Sequence, residues 1–587
     1  MPTLNWIGKE AVVNHHLHVP FHLLKDVPEL ACGAPGSGNL IVQGDNLVAL
    51  KALLPYYAGQ VKCIYIDPPY NTGKENDGKG WLYNDSVNSP IIREWLGKTV
   101  GKEAEDLSRH DKWLCMMYPR LQLLKQFLSR DGVMFISIDD IELPFLRILM
   151  DELFPHPQSK NRLACFVWET DGNFDNQAKI KDCHEYVLAY SKCFEEFPAP
   201  PVIDLSVGKG SKLFRPEIRN TIVKNGPKNP VTNIELPAGF PAEFEDGRIP
   251  MRSDKWPHYE QDLVVKNWKL VEPVNASSGW GSKVIFEEFI STGFNPVFDT
   301  KKQKTRFVLT QNGTVEAIKI RSDSQSHVIS LIREVGSTQN TSVTLAEMGI
   351  KFTFPKPVGL VSYLVSMVAD KSALVLDSFA GSGTTAQAVL QLNKQDGGNR
   401  RFIVVEMEPT IAREITAERV RLAAKGYTSI KGDQVEALGG GFRFCELGEP
   451  LFDEDGKIRE TVIFSDLARH VWFTETGEPL AEQPLPRLPL TGEELSSPPP
   501  VKGGLGGVAF SPLLGVHNGT AIYLLYNGIL GDKSASGGNV LTRAVLAQLP
   551  VFDGPKVIYC SGCLLGRDRL QSERIIVRQT PYEVRIS

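Results

Sequence analysis

The sequence predicts an α/β protein with a largely parallel sheet, interrupted by an insertion of different character and followed by a small α/β module. Three observations carry this. Apolar, β-branched runs alternate with segments of helical spacing from about residue 39 to 195, and again from about 352 to 435. Two of those runs end in loops with chemical content, Asp67-Pro68-Pro69-Tyr70 and Asp377-Ser378-Phe379-Ala380-Gly381-Ser382-Gly383-Thr384-Thr385. Between the two halves, residues 196–350 gain Pro and Gly and lose helical periodicity.

In chain order, residues 1–38 read as an arm packed on the domain, with a Gly-rich linker at its end. The paired His15-His16 there would point to opposite faces of a strand, which does not favour a shared metal. Leu40–Gln43 reads as a strand, Gly44-Asp45-Asn46 as a turn, and the residues after it to about Tyr57 as an amphipathic helix. Asp45 between them suits either a helix N-cap or a carboxylate facing a cofactor. Val61–Ile66 is a buried strand, after which two prolines fix φ and remove two donors, forcing a rigid extended exit. Polar Lys74–Gly80, followed by Trp81, Tyr83 and Asn84, reads as a mobile loop over the site. Asp106–Arg130 has helical spacing, Val133–Ile138 is strand-like, and Asp139-Asp140 fits the N-cap of a helix over 141–154. Ala164–Trp168 and Tyr186–Tyr190, the latter after His184-Glu185, complete the first half as strands.

In the insertion, short strands are expected at Lys283–Phe289, Arg306–Leu309 and Val315–Ile320. Lys209, Lys212, Arg215, Arg219, Lys224 and Lys228 cluster in one stretch, and Lys301, Lys302, Lys304 and Arg306 in another. Trp256, Tyr259, Trp268 and Trp280 lie among them. Charge runs are usually solvated faces, but basic residues with aromatics inside an enzyme fold favour phosphate contacts and base readout. The α/β pattern then returns with a helix over 358–369, the strand Ala373–Leu376, its glycine loop, the strand Arg401–Val405 ending at Glu406, and a helix over 411–424. Gly381-x-Gly383 lets backbone approach a nucleoside, and Glu406 can accept from ribose hydroxyls. That loop also fits a dinucleotide fingerprint. Beyond about residue 436 a small α/β module is expected, with a flexible Pro/Gly-rich segment at 479–507.

Composition narrows the class. The 587 residues are 42% hydrophobic and 23% charged, ordinary for a globular protein of several domains. No apolar run approaches the roughly 18 residues needed to span a bilayer. The N-terminus lacks the basic and apolar regions of a signal peptide. Nine scattered cysteines, with one lone Cys560-x-x-Cys563, fit ordinary thiols in a reducing cytoplasm rather than zinc, and no metal is expected. A net charge of −5 counts against indiscriminate nucleic-acid binding and leaves room for a local basic face. No P-loop occurs, so a helicase motor is not expected.

The order Asp-Pro-Pro-Tyr, basic insertion, Phe-x-Gly-x-Gly resembles the β-group amino-methyltransferases of DNA, in particular the modification subunits of type III restriction–modification systems. The resemblance covers residues 1–195 and 350–435 well and the C-terminal module loosely. It implies a Rossmann-like, S-adenosylmethionine-dependent fold, circularly permuted around a target-recognition domain at 196–350, with catalytic halves at 1–195 and 351–435. By position it implies that Asp67, Pro68, Pro69 and Tyr70 hold a flipped base. It assigns Asp45, Lys356, Asp377, Phe379, Gly381, Gly383, Thr384 and Glu406 to S-adenosylmethionine, with Lys356 closing the methionine end. Asp at the first motif position goes with N6 of adenine rather than N4 of cytosine. Double-stranded DNA, a homodimer and a restriction helicase–nuclease are the implied partners. Methylation of RNA or of protein glutamine, and a DNA-binding scaffold that has lost catalysis, are the other readings. The basic insertion speaks against the first of these, and intact Asp67 and loop glycines against the second.

Overall fold

In the computed structural model, the described residues are 3–580 except 34–37, 72–89, 101–107, 171–178, 181, 203–216, 300–302, 321–326, 369, 481–510 and 528–537. The loop expected over 74–84 therefore lies outside the described residues, as do Lys209, Lys212, Arg215, Lys301, Lys302 and the 481–507 part of the Pro/Gly-rich segment. The chain forms two compact units, one of Met1–Pro198 with Ile329–Ser587, the other of Ala199–Val328.

The first unit is organised by a ten-stranded sheet. Its strands are β1 (His22–Asp26), β2 (Leu40–Gln43), β3 (Val61–Ile66), β4 (Leu128–Ile138), β5 (Arg162–Glu169), β6 (His184–Ser191), β7 (Leu331–Ile332), β8 (Leu374–Asp377), β9 (Arg401–Glu406) and β10 (Arg443–Pro450). Their spatial order is β1-β10-β2-β9-β8-β3-β4-β6-β5-β7. From β10 to β4 all neighbours are parallel. β6 runs antiparallel to both β4 and β5. The two sequence halves meet in the middle, where Val375 and Leu376 of β8 pair with Cys63 and Ile64 of β3. Both strands are buried throughout apart from Lys62, which fits apolar runs covered on both faces.

Helices cover the sheet: α1 (Asn46–Tyr57), α2 (Arg109–Phe127), α3 (Leu143–Leu153), α4 (Val358–Ser366), α5 (Thr384–Asp396) and α6 (Ala417–Lys425). Ser108 and Asp111 form a reciprocal capping box that starts α2. Asp139 accepts from the Ile141 N–H at 3.1 Å, but α3 begins only at Leu143, with Glu142 at the cap position. The helix expected over 411–424 is a π-helical turn, Ile411–Thr416, followed by α6.

Three features differ from expectation. His15 and His16 sit in a short helix, His15–His18, rather than a strand. β10 lies beyond the 435 boundary yet completes the sheet between β1 and β2, because buried Phe444 and Cys445 supply an inward-facing strand after the glycine run. Residues 329–350 belong with the first unit, where β7 pairs with β5 and Thr338–Glu347 forms a helix. The C-terminal sheet, Leu513–His517, Thr520–Leu524, Lys556–Cys560 and Ile575–Gln579, shares a core with Phe21 of the arm and with helix Phe464–Thr476.

The second unit is mainly antiparallel, with a four-stranded sheet containing Lys304–Leu309 and Val315–Ile320. Lys283–Phe289, expected as a strand, lies in a helix, Lys283–Ser291. Its β-branched start suggested extension, but Phe286 and Phe289 are three apart and are buried on one face against Phe240 and Phe307. Spacing on a packed face overrides local propensity here.

Candidate active site

Because β2, β3, β8 and β9 run parallel, their carboxyl ends share one edge. That edge is where open α/β sheets bind ligands. Asp45, Asp67, Asp377 and Glu406 follow or end these four strands. β6 enters from the opposite direction. Its register, Ile138 opposite Tyr186, brings Glu185 to the same edge from a strand start.

The Asp-Pro-Pro-Tyr exit is fixed from below. Buried Trp113 donates its Nε1–H to the Pro69 carbonyl at 2.7 Å. The next residue, Asn71, has a left-handed backbone with φ 58°, and its amide donates to Arg109 O at 3.0 Å and Glu142 Oε1 at 2.6 Å. Fully buried Glu142 also pairs with His110 Nδ1 at 2.8 Å. Burial pushes the Glu142 carboxyl up, against the pull of Asn71 and His110.

Above that base, Asp67 Oδ2 lies 3.0 Å from Lys356 Nζ. The same ammonium lies 3.4 Å from Glu185 Oε2 and 4.6 Å from the centre of the Tyr70 ring. Tyr70 donates its hydroxyl to Glu185 at 2.8 Å. Asp67 Oδ1 is buried without a hydrogen-bond partner among the described residues. Burial raises the Asp67 carboxyl; Lys356 opposes that rise, Glu185 adds to it and Tyr70 opposes it. The orphaned oxygen is an acceptor waiting for a donor. Leaving it unmade costs about 1–3 kcal/mol.

Beside it lies the glycine loop. Asp377 accepts from the Phe379 N–H at 2.9 Å and from the Thr385 hydroxyl at 2.5 Å, and burial lifts its carboxyl to about 7. Glu406 accepts from the Gly381 N–H at 2.8 Å and the Glu408 N–H at 3.0 Å, and burial again carries it to about 7. The π-helical turn aims Thr416 at the loop, where its hydroxyl donates to Gly381 O at 2.6 Å. Arg419 is fully buried and donates to Ser382 and Thr384; burial lowers its guanidinium to about 9. Ser378 Oγ is buried with no partner among the described residues.

Gly383 has a reason of its own besides the expected approach of a ligand. Gly383 caps α5 with φ 82°, and a Cβ there would sit 3.2 Å from Thr416 Cγ2 and 3.3 Å from Thr416 O. Packing against the protein, as well as the left-handed backbone, disfavours a side chain at that position. At Gly381, with φ 50°, a Cβ would meet the Phe352 ring at 3.4 Å and Phe379 O at 4.0 Å, both ordinary contacts.

Several sequence-derived residues thus come together: Asp67, Pro68, Pro69, Tyr70, Lys356, Asp377, Phe379, Gly381, Gly383, Thr384 and Glu406. Asp45 is the N-cap of α1, accepting from Leu47 N–H at 2.8 Å, and its other oxygen meets Arg120 at 3.2 Å. Lys356 reaches the Asp67 side rather than the glycine loop with its ammonium, while its carbonyl accepts from Thr384 at 3.1 Å. In the second unit Arg219 pairs with Glu243 at 3.0 Å, and Lys224, Lys228 and Lys304 are exposed. Glu185, Glu142, Trp113 and Arg419 were not singled out by sequence. Their placement depends on strand order and helix packing, for which a single sequence holds no local signal.

A profile of the DNA methylase family matches residues 61–419, from the first residue of β3 into α6. The chain is 31% identical over 462 residues to the type III restriction-modification enzyme EcoPI Mod subunit of Escherichia phage P1, covering 73% of this chain and 66% of that protein. It is 28% identical over 466 residues to the EcoP15I Mod subunit of Escherichia coli, covering 73% and 67%. The type II methyltransferase M.KpnI of Klebsiella pneumoniae is 25% identical over 422 residues, covering 68% of this chain and 91% of that protein. The chain spans about two thirds of the length of the two Mod subunits. Since the family profile takes in both chemical loops and the whole insertion, the chain belongs to the DNA methylase family.

Proposed function

We infer that this protein is a site-specific DNA methyltransferase that places a methyl group on the exocyclic N6 of adenine in duplex DNA, as the modification component of a restriction–modification system. The observation that carries the reading is the buried Oδ1 of Asp67, without a hydrogen-bond partner among the described residues, on a carboxylate that shares the Lys356 ammonium with the Tyr70 ring. An exocyclic amine has two N–H donors and a lone pair delocalised into its ring. Acceptors aimed at those hydrogens favour a pyramidal nitrogen and free the lone pair. Asp67 and the Pro68 carbonyl are the acceptors, and the Tyr70 ring offers a stacking face for the base. A target base must leave its stack at a cost of a few kcal/mol, which stacking and edge hydrogen bonds offset.

The glycine loop fits S-adenosylmethionine. Burial raises the Asp377 and Glu406 carboxyls to about 7, so a cationic ligand beside them would relieve the cost of their ionisation, and Ser378 Oγ and Glu406 offer polar atoms to a nucleoside. When bound, that cofactor supplies an electrophilic methyl group. The chain's own part is positioning: Trp113 and Asn71 hold the Pro-Pro turn rigid, and rigidity of this kind carries most of the rate in a direct displacement. Asp67, with its raised pKa, is also placed to receive the proton the amine loses.

The exposed lysines of the second unit support phosphate contact, with Lys209, Lys212, Arg215, Lys301 and Lys302 assigned to the same role by sequence. A restriction subunit is the partner that the names of the Mod relatives suggest, and a homodimer is a further expectation from the sequence. No helix among the described residues is long and apolar enough to cross a membrane.

The test is methyl transfer by the purified full chain from labelled S-adenosylmethionine to duplex DNA, with nucleosides identified by mass spectrometry and sites mapped by sequencing. N6-methyladenine at one recurring sequence is expected. N4-methylcytosine would overturn the base assignment, and unmodified DNA the activity.

A further inference from the structure

An amine-holding pocket needs acceptors, yet this one contains a charged donor in its centre. Lys356 Nζ lies 3.0 Å from Asp67 and 3.4 Å from Glu185. Those two carboxylates can occupy two of its three protons, and among the described residues the third meets only the Tyr70 ring face, 4.6 Å from its centre, a weaker contact that a ring nitrogen can replace. The side chain is only 10% exposed. Its position is fixed at both ends, since its carbonyl accepts from Thr384 and its partner Glu185 is held by the Tyr70 hydroxyl. Neutralising Asp67 would need a single ion pair. Sharing the ammonium with Glu185 instead leaves the trio of Asp67, Glu185 and Lys356 net negative, which suits an amine that becomes positive as it reacts.

The chemistry of bases gives the donor a purpose. Adenine and cytosine each present an exocyclic amine beside an unprotonated ring nitrogen, a donor next to an acceptor. Guanine and thymine present a carbonyl oxygen beside a ring N–H, the reverse order. Asp67 and Lys356 present acceptor next to donor, complementary to the first pair and mismatched to the second.

We propose that Lys356 reads the base: held by Asp67 and Glu185, its ammonium donates to the ring nitrogen beside the amine while Asp67 accepts from the amine itself. The proposal rests on the reading of this site as a base-amine methyltransferase. Burial alone would favour neutral lysine, but Asp67 and Glu185 hold Lys356 charged well above the usual lysine range. The donor is therefore present at any working pH. The same charge leaves Lys356 without a lone pair and prevents it from taking the methyl group in place of the base.

The experiment measures single-turnover methyl transfer by the full chain on a duplex carrying its mapped site. The target adenine is replaced by 1-deazaadenine or by 7-deazaadenine, each exchanging one flanking ring nitrogen for C–H. For the wild type, one of the two replacements should slow transfer by about tenfold to a hundredfold, the loss of a charge-assisted hydrogen bond. Lys356→Met should be slow on adenine, and the same replacement should slow it by no more than about twofold further, because the two changes remove one interaction. A penalty of equal size in both enzymes, or none in the wild type, would overturn the proposal. So would faster transfer by Lys356→Met on adenine, which would mark the ammonium as an occupant that the amine displaces. If Lys356→Met does not fold, Glu185→Gln takes its place; loosening the ammonium should shrink the same penalty, and an unchanged penalty overturns the proposal. Failure of the wild type on the unmodified duplex would instead refute the methyltransferase reading.

Discussion

Asp377→Asn should stabilise the protein at alkaline pH while weakening its hold on the cofactor. Asp377 closes β8 inside the sheet, and burial raises its carboxyl from 3.8 to about 7. A carboxyl whose folded pKa exceeds its unfolded one contributes stability that is complete below about 4 and is lost as pH rises through about 7. At ~1.4 kcal/mol per unit, the folded state carries a penalty of about 1.5 kcal/mol at pH 5 and about 4 kcal/mol at pH 8. Asparagine keeps both contacts: its oxygen accepts from the Phe379 N–H, and its amide donates to the Thr385 hydroxyl, which turns. The variant's advantage should therefore grow by about 3 kcal/mol between pH 5 and pH 8 and stay level above that. Urea unfolding followed by tryptophan fluorescence at the two pH values measures it. A difference between variant and wild type that is independent of pH would refute the reasoning. Calorimetry at pH 8 should show weaker S-adenosylmethionine binding, since a buried negative charge has gone.

Glu406→Gln is the contrasting case. Glu406 also sits near 7, but it accepts from two backbone N–H groups, and an amide must turn its own N–H2 toward one of them. That mismatch costs about 1–3 kcal/mol, so its gain at pH 8 should fall clearly short of the Asp377→Asn gain in the same urea assay. Gly383→Ala should lower stability by about 1–2 kcal/mol from its left-handed backbone alone, with crowding against Thr416 adding to it. Unchanged thermal unfolding without cofactor would refute that account of the glycine. Removing the exposed charges of Lys224 and Lys228 together should weaken cognate and random DNA alike. The salt slope of binding should become shallower by about two units if both touch phosphate, and a loss confined to cognate DNA would contradict the assignment.

Much of the fold was legible because its core strands are short apolar runs punctuated by proline or glycine. Val61–Ile66 and Leu374–Asp377 identify themselves in this way, and each ends in a loop whose residues have chemical meaning. What could not be read is adjacency. Pairing of Cys63 with Val375 joins segments more than three hundred residues apart, and nothing local encodes it. The same holds for Glu185, which looks like an ordinary strand start until antiparallel pairing with β4 carries it to the site edge. Lys356 was legible as part of a motif but not as the neighbour of Asp67, since its side chain crosses from one half of the permuted sheet to the other. The Lys283–Ser291 helix was misread for the opposite reason, a strong local signal overruled by packing of Phe286 and Phe289.

The central claim is that a base amine reacts at Asp67, and DNA from a host without adenine methylation of its own tests it most directly. Nucleosides from cells expressing the wild type, Asp67→Ala, or neither are separated and identified by mass spectrometry. The wild type should yield N6-methyladenine. Asp67→Ala should reduce it by about three powers of ten, each worth ~1.4 kcal/mol of barrier, while the purified variant still binds S-adenosylmethionine. N6-methyladenine at the wild-type level in the Asp67→Ala host would contradict the claim.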